Sequence, residues 1–142
     1  MINEENQTEF FTNMKKEIIY TKNAPEPIGP YNQAVKIGKK LYVSGQIPLI
    51  PGKMELIENN LEEETIQVMK NIEAILLKAN MTFDNVVKTT IFLTDMENFE
   101  IVNKIYGRYF NIENAPARET VEVSNLPKYV RLEISIIASE IY

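Results

Sequence analysis

Chemistry in this chain must rest on a short set of side chains, because the sequence contains no cysteine and no histidine. Their absence removes thiol nucleophiles, imidazole bases and Cys- or His-ligated metal sites. Carboxylates, Lys, Arg, Tyr, Ser, Thr, backbone groups and water remain. The five glycines form neither a Gly-x-Gly-x-x-Gly motif nor a P-loop, so the sequence does not indicate a phosphate-binding loop.

Two charged residues in strand-like segments are candidates for a site. Arg118, one of three arginines, follows Pro116-Ala117 at the start of a predicted strand. Arginine can hold a carboxylate in a two-point fork, although a surface arginine can equally pair with a glutamate. Glu133 lies within a β-branched segment, where glutamate is unusual. It is either a functional carboxylate or half of a cross-strand ion pair.

Two hydroxyl residues occupy turn positions close to predicted strands. Tyr31 completes a rigid Gly29-Pro30-Tyr31 corner and is either a packing anchor or a site hydroxyl. Ser44 precedes Gly45 at a strand end and is either a turn residue or a ligand.

The spacing of apolar residues predicts six strands and two helices. The strands are predicted at 16–20, 32–37, 40–44, 85–93, 119–123 and 130–138, and the helices at 61–79 and 96–110. Asn60 with Glu63 resembles a capping box, Asn80 can end the first helix, and Asp95 can cap the second. The order β-β-β-α-β-α-β-β indicates an α+β domain with both helices on one face of a mixed, mostly antiparallel sheet.

The other face of the predicted sheet carries both charged and apolar side chains. Glu133 and Ile137 share the parity opposite to the long apolar row of the last strand. A face of this kind is often a partner surface, which favours oligomerisation.

Length and charge narrow the class of protein. The chain has 142 residues, with 44% hydrophobic and 25% charged, and a net charge of −5. The acidic balance argues against a dedicated nucleic-acid binder. No apolar run approaches the roughly 20 residues of a membrane span, and residues 1–13 lack the basic and apolar regions of a signal peptide. We expect a cytoplasmic protein with one domain over 14–142 and a flexible extension at 1–13, with Met14 as an alternative start.

Five blocks of sequence, in order from about residue 17 to 140, resemble the RidA/YjgF family. This is the reactive intermediate (enamine/imine) deaminase family, whose members are also labelled endoribonuclease L-PSP or translation inhibitor. The blocks are IGPYNQAV at 28–35, SGQIP at 44–48, VVKTTIFL at 86–93, PARETVEV at 116–123, and LPK at 126–128 followed by EI at 133–134.

The resemblance implies a chorismate mutase-like fold and a homotrimer with sites in clefts between subunits. It implies hydrolysis of 2-imino or enamine acids, such as 2-aminoacrylate, to 2-keto acids and ammonia, with no cofactor and no metal. The acidic charge and the lack of a long apolar run lead us to expect neither nucleic acid nor membrane as a partner. Arg118 matches the family arginine that binds the substrate carboxylate, and Glu133 matches the glutamate associated with water. Tyr31, Ser44 and Asn103 match positions that line the cleft.

The chain also departs from the family pattern. Thr120, in the predicted substrate-binding set, stands where some members carry a cysteine, so no thiol is available there. Glu119 adds a charge that many members lack, and strand alternation predicts that it points away from Arg118.

Two other functions stay open at the level of sequence. One is an endoribonuclease or translation inhibitor, and the other is a non-catalytic small-molecule-binding trimer. The low isoelectric point and the missing histidines weigh against RNA cleavage. The Pro116-Ala117-Arg118 block together with Glu133 favours catalysis over binding alone.

Overall fold

The computed structural model describes residues 3–7 and 15–141, and its framework is six strands and two long helices. The strands are β1 (Glu17–Ile19), β2 (Ala34–Ile37), β3 (Lys40–Gln46), β4 (Val86–Leu93), β5 (Ala117–Glu122) and β6 (Leu132–Ser139), and the helices are α1 (Leu61–Lys78) and α2 (Phe99–Gly107). The predicted α+β class and the order of elements are confirmed. Of the predicted extension at 1–13, only residues 3–7 are described, with an exposed helical turn at 4–7.

All six strands join one mixed sheet in the order β1-β2-β3-β6-β4-β5. Only β4 and β5 run parallel, and α2 lies in the connection between them. The remaining neighbours pair antiparallel. β6 therefore lies at the centre of the sheet and β5 at one edge, which places Glu133 and Arg118 two strands apart.

The predicted caps lie where the sequence places them, although among the described residues only the Asn60 half of the capping box with Glu63 is formed. The side chain of Asn60 accepts a hydrogen bond from the backbone N–H of Glu63 at 3.0 Å and caps α1. Asn80 follows that helix with φ of 60°, the left-handed conformation that asparagine tolerates. Asp95 caps a 3-10 turn, Met96–Asn98, that leads into α2. This turn explains why α2 begins at Phe99, later than the predicted 96.

The core fills the space between α1 and one face of the sheet. Fully or almost fully buried side chains include Leu41, Ile91, Leu93, Leu132 and Ile134 from the sheet and Val68, Met69, Ile72 and Ile75 from α1. Each such side chain stabilises the fold by about 1.5–3 kcal/mol relative to exposure. None of the helices in the described ranges is long and apolar enough to cross a bilayer.

The opposite face of the sheet, which we call the open face, combines apolar and charged side chains. Tyr42 and Val121 are 44% and 38% exposed, and Ile137 and Glu133 are partly buried. Ile137 pairs with Tyr42 across β3 and β6, so the two share this face. The mixed character predicted for this face is present.

Candidate functional site

A cavity of about 270 Å³ lies where β3 departs from regular pairing with β6. Tyr31 comes from the loop before β2, Ser44 from β3 and Glu133 from β6. The structure therefore brings together three of the six predicted site residues. The other lining residues are Pro25, Glu26, Ile28, Gln33, Gly45, Gln46, Ile47, Leu49 and Pro127.

Glu133 is a half-buried carboxylate at this cavity, and burial raises its pKa above the usual value. Within the described ranges it has no hydrogen-bonded or ion-paired cation. Arg131 pairs instead with Glu64, and Lys88 pairs with Glu119. The cross-strand ion pair considered for Glu133 is thus absent from this part of the chain, which leaves the carboxylate available to a ligand.

Gly45 lies directly against this carboxylate. A Cβ at residue 45 would stand 2.1 Å from Oε1 of Glu133 and 2.9 Å from its Cγ, far inside contact distance. Sequence reasoning gave Gly45 no functional role, although a glycine near a strand end is a known signal of close approach.

Gln33 holds the loop that carries Tyr31. It is 2% exposed, and its Nε2 donates to the carbonyl oxygens of Thr21 at 2.9 Å and Pro25 at 3.0 Å. Its Oε1 accepts from the N–H of Thr21 at 2.7 Å. A buried amide satisfied on both sides fixes the loop against the sheet. The role of Gln33 was also missed by sequence reasoning, because its partners are backbone groups.

Both predicted hydroxyls are held by nearby backbone. Ser44 Oγ donates to the carbonyl oxygen of Asn32 at 2.5 Å, and Tyr31 Oη accepts from the N–H of Ile28 at 3.3 Å. The Ser44 oxygen can still accept a hydrogen bond and the Tyr31 hydroxyl can still donate one. Tyr31 is 48% exposed, so its hydroxyl is accessible from solvent.

The other three predicted site residues form a separate group beside α2. Arg118 is exposed on β5, and its Nη1 donates to Oδ1 of Asn103 at 2.8 Å. The guanidinium pairs with this amide rather than with a glutamate. Thr120, two residues along β5, has a buried Oγ1 with no hydrogen-bond partner among the described residues.

Strand register places the two groups on opposite faces of the sheet. Arg118 pairs with Thr89 of β4, which pairs with Ile136 of β6, and both partners are buried on the helix side. Glu133 has the opposite parity to Ile136, so it lies on the open face. The two predicted catalytic side chains therefore do not converge within one chain.

Glu119 follows the predicted orientation. Its carboxylate accepts from Nζ of Lys88 at 2.7 Å and from Oγ1 of Thr90 at 2.8 Å, and these bonds lower its pKa. Because these partners lie on the open face, the Glu119 charge points away from the Arg118 guanidinium.

Comparison with known proteins yields a consistent set of relatives. A family model described as Endoribonuclease L-PSP matches residues 21–140. A RutC family protein of Saccharolobus solfataricus is 50% identical over 125 residues, which cover 88% of this chain and 98% of the relative.

Solved structures with a similar fold come from related proteins. A Yersinia pestis protein of unknown function from the conserved Rid protein family, YyfA, has a TM-score of 0.86 and 52% identity, covering 89% of this chain and 100% of that one. E. coli TdcF with bound serine has a TM-score of 0.82 and 36% identity, covering 88% and 99% of the two chains.

Proposed function

The chain belongs to the endoribonuclease L-PSP (Rid) family, and from this premise we propose that it hydrolyses 2-imino and enamine acids to 2-keto acids and ammonia. The observation that carries the proposal is the Glu133 carboxylate, half-buried without a cation and lining a cavity with Tyr31 and Ser44. A carboxylate whose pKa is raised is a stronger base than an ordinary glutamate, which suits it to exchanging protons with water and substrate.

The proposed site lies between subunits of a homotrimer. Arg118 and Glu133 occupy opposite faces of one sheet, so a substrate can reach both only if they come from two copies of the chain. The exposed Tyr42 and Val121 on the open face supply apolar surface for such an assembly. A cyclic arrangement of identical chains repeats the same composite site at every interface.

Arg118 binds the substrate carboxylate in this account. Asn103 occupies Nη1 of the guanidinium, which leaves the other N–H groups as donors for a planar anion. A serine bound to the relative TdcF is consistent with a site that takes a small amino-acid-like ligand. Thr120 Oγ1, which lacks a partner in the described part of the chain, is a further candidate hydrogen-bonding group for the substrate.

The reaction needs one water and one proton relay. The substrate reacts as the protonated imine: the water oxygen adds to the C=N carbon while Glu133 accepts a proton from that water, which gives the neutral carbinolamine. Glu133 then returns the proton to nitrogen. As the C–N bond breaks, Glu133 accepts the proton of the carbinolamine hydroxyl, ammonia and the 2-keto acid leave, and the carboxyl releases this proton to ammonia or solvent. Tyr31 and Ser44 orient the water or polar substrate groups. Positioning plus one general base can supply about 10²–10⁴-fold acceleration.

A coupled assay tests this function. An L-amino acid oxidase generates 2-imino acids in the presence of semicarbazide, and semicarbazone formation is followed with and without the protein. We expect the wild type to suppress the semicarbazone, and Arg118→Ala to lose activity by about 100-fold because its substrate is no longer oriented.

Arg108→Ala is the matched control, since Arg108 is also exposed but follows the end of α2, outside the proposed site. It should retain wild-type activity. Full activity in a folded and assembled Arg118→Ala protein would contradict the assignment of the carboxylate clamp. A wild-type protein that binds 2-keto acids yet never suppresses the semicarbazone would contradict catalysis.

A further inference from the structure

One stripe of α2 surrounds the Arg118 guanidinium. Phe99, Asn103 and Tyr106 are spaced by four and three residues, so they project from the same side of the helix. Besides the hydrogen bond to Asn103, the guanidinium carbon lies 5.0 Å from the ring centre of Tyr106 and 5.8 Å from that of Phe99. Both distances fall within the range of cation–π attraction.

Tyr106 is itself fixed by the strand beside Arg118. It is 6% exposed, and its hydroxyl donates to Oγ1 of Thr89 at 3.0 Å. Thr89 is fully buried and is the register partner of Arg118 across β4 and β5. Thr89 therefore contacts both partners: its backbone pairs with Arg118, and its side chain accepts a hydrogen bond from Tyr106. The Tyr106 ring in turn lies against the Arg118 guanidinium.

The phenol keeps its proton under ordinary conditions. Burial is the largest effect on the Tyr106 pKa and raises it, which outweighs the lowering by the Thr89 hydrogen bond and by the Arg118 charge. The hydroxyl thus remains a donor to Thr89. The aromatic cluster behind it, with the Phe110 ring centre 4.6 Å away, restricts the ring further.

Such restraint matters because Arg118 is exposed on an edge strand. A free arginine side chain loses rotamer entropy when it is held in one geometry. The aromatic ring near the guanidinium and the Asn103 hydrogen bond already restrict the side chain. Less rotamer entropy is therefore lost when a ligand binds. The remaining N–H groups are then oriented in advance for a two-point contact with a carboxylate.

We propose that Tyr106, whose ring centre lies 5.0 Å from the guanidinium carbon, is a positioning residue that orients the Arg118 guanidinium for the substrate carboxylate. The inference rests on the proposed function, in which Arg118 is the carboxylate clamp. It adds a residue that acts through Arg118 and does not itself touch the substrate.

Direct binding of 2-oxobutanoate, measured by calorimetry on the assembled protein, tests this role without requiring turnover. Tyr106→Leu removes the ring, and we expect about tenfold weaker binding. Tyr106→Phe keeps the ring and loses only the hydroxyl, so its affinity should stay within about threefold of the wild type. In an Arg118→Ala background, Tyr106→Leu should cause no further loss, because the group that it orients is absent.

Circular dichroism and gel filtration establish that each variant folds and assembles. If Tyr106→Leu does not fold, Tyr106→Met, which fills the space without a π face, carries the same prediction. An equal loss from Tyr106→Leu with and without Arg118 would show a merely structural residue and overturn the proposal.

Binding to the two single variants separates the positioning role from the carboxylate clamp. Wild-type affinity in Tyr106→Leu, with binding weakened in Arg118→Ala, overturns the positioning role alone. Wild-type affinity in Arg118→Ala overturns the carboxylate clamp of the proposed function, and the positioning role with it.

Discussion

Glu133 carries a charge in surroundings that disfavour it. Its pKa is raised by burial, and no cation offsets this effect within the described residues. By contrast, Glu64 is 3% exposed and is satisfied by a two-point contact with Arg131. The contrast between the two glutamates supports the proposed role of Glu133 in ligand chemistry.

Replacing Glu133 with glutamine should abolish the relay and stabilise the fold at neutral pH. A carboxyl whose pKa is raised by folding stabilises the protein fully below its unfolded pKa, and this contribution is lost as pH rises through the folded pKa. The stability of Glu133→Gln relative to wild type should therefore increase with pH across a window that begins near the ordinary glutamate pKa.

Thermal unfolding of both proteins at several pH values between 4 and 8 measures this difference. The same raised pKa predicts that wild-type activity falls, on acidification, at a pH above the ordinary glutamate value. A stability difference that does not change with pH would contradict the electrostatic cost assigned to Glu133.

The sequence reveals the residues that could do chemistry, but not the residues that hold them in place. Arg118 and Glu133 are conspicuous in the sequence because of their type and strand setting. Gln33 and Gly45 are not, because their roles depend on contacts made only in three dimensions: backbone carbonyls for Gln33, and a carboxylate on another strand for Gly45.

At the scale of elements, the end of β3 shapes the cavity. Its register with β6 shifts between Val43 and Gln46, and the irregular segment contains Ser44 and Gly45. An irregularity of this kind re-aims side chains beside a site. It brings Ser44 to the cavity wall and lets the Glu133 side chain pass over bare backbone.

Gly45→Ala should move the Glu133 carboxylate, since the new methyl would overlap Oε1. We expect a loss of about 1–3 kcal/mol of stability from overpacking, and up to about 100-fold lower imine hydrolysis from the displaced base.

Gly107→Ala is the matched control, because a Cβ at that end of α2 meets nothing within 4 Å. It should keep full activity and gain up to about 1 kcal/mol of stability from better helix propensity. Equal activity in the two alanine variants would contradict the proposal that imine hydrolysis depends on where the Glu133 carboxylate lies.

The periodicity of apolar residues was sufficient to predict every strand and both helices, because alternation and three-to-four spacing are written locally. The first and last residues of each strand and helix were harder to predict. The strand predicted at 119–123 is Ala117–Glu122, so Arg118 lies within β5 and not before it. Its orientation towards α2 comes from pairing with β4. That pairing is a tertiary contact, which local propensity does not encode.

At the scale of the whole molecule, the open face is the surface that the proposed assembly would use. Tyr42, Val121 and Ile137 expose apolar surface around Glu133 on a sheet whose other side is filled by the core. Parity within β6 could be read from the sequence, and it predicted this mixed face. The sequence could not show which residues of β5 and β6 share a face, because that depends on how both strands register with β4. The separation of Arg118 from Glu133 therefore emerged only from the fold.

In the proposed trimer, two copies of the chain each contribute one half of the site. Arg118→Ala retains Glu133 and Glu133→Gln retains Arg118, so each variant alone should be inactive in the semicarbazide assay. The direct measurement is the activity of equal amounts of the two variants after they are unfolded together and refolded into mixed trimers.

If each site takes Arg118 from one subunit and Glu133 from its neighbour, random mixing leaves about one quarter of the sites intact. We expect this fraction of wild-type activity to return. Mixed trimers that form but show no recovery, while wild type refolded in the same way is active, would contradict a site shared between subunits.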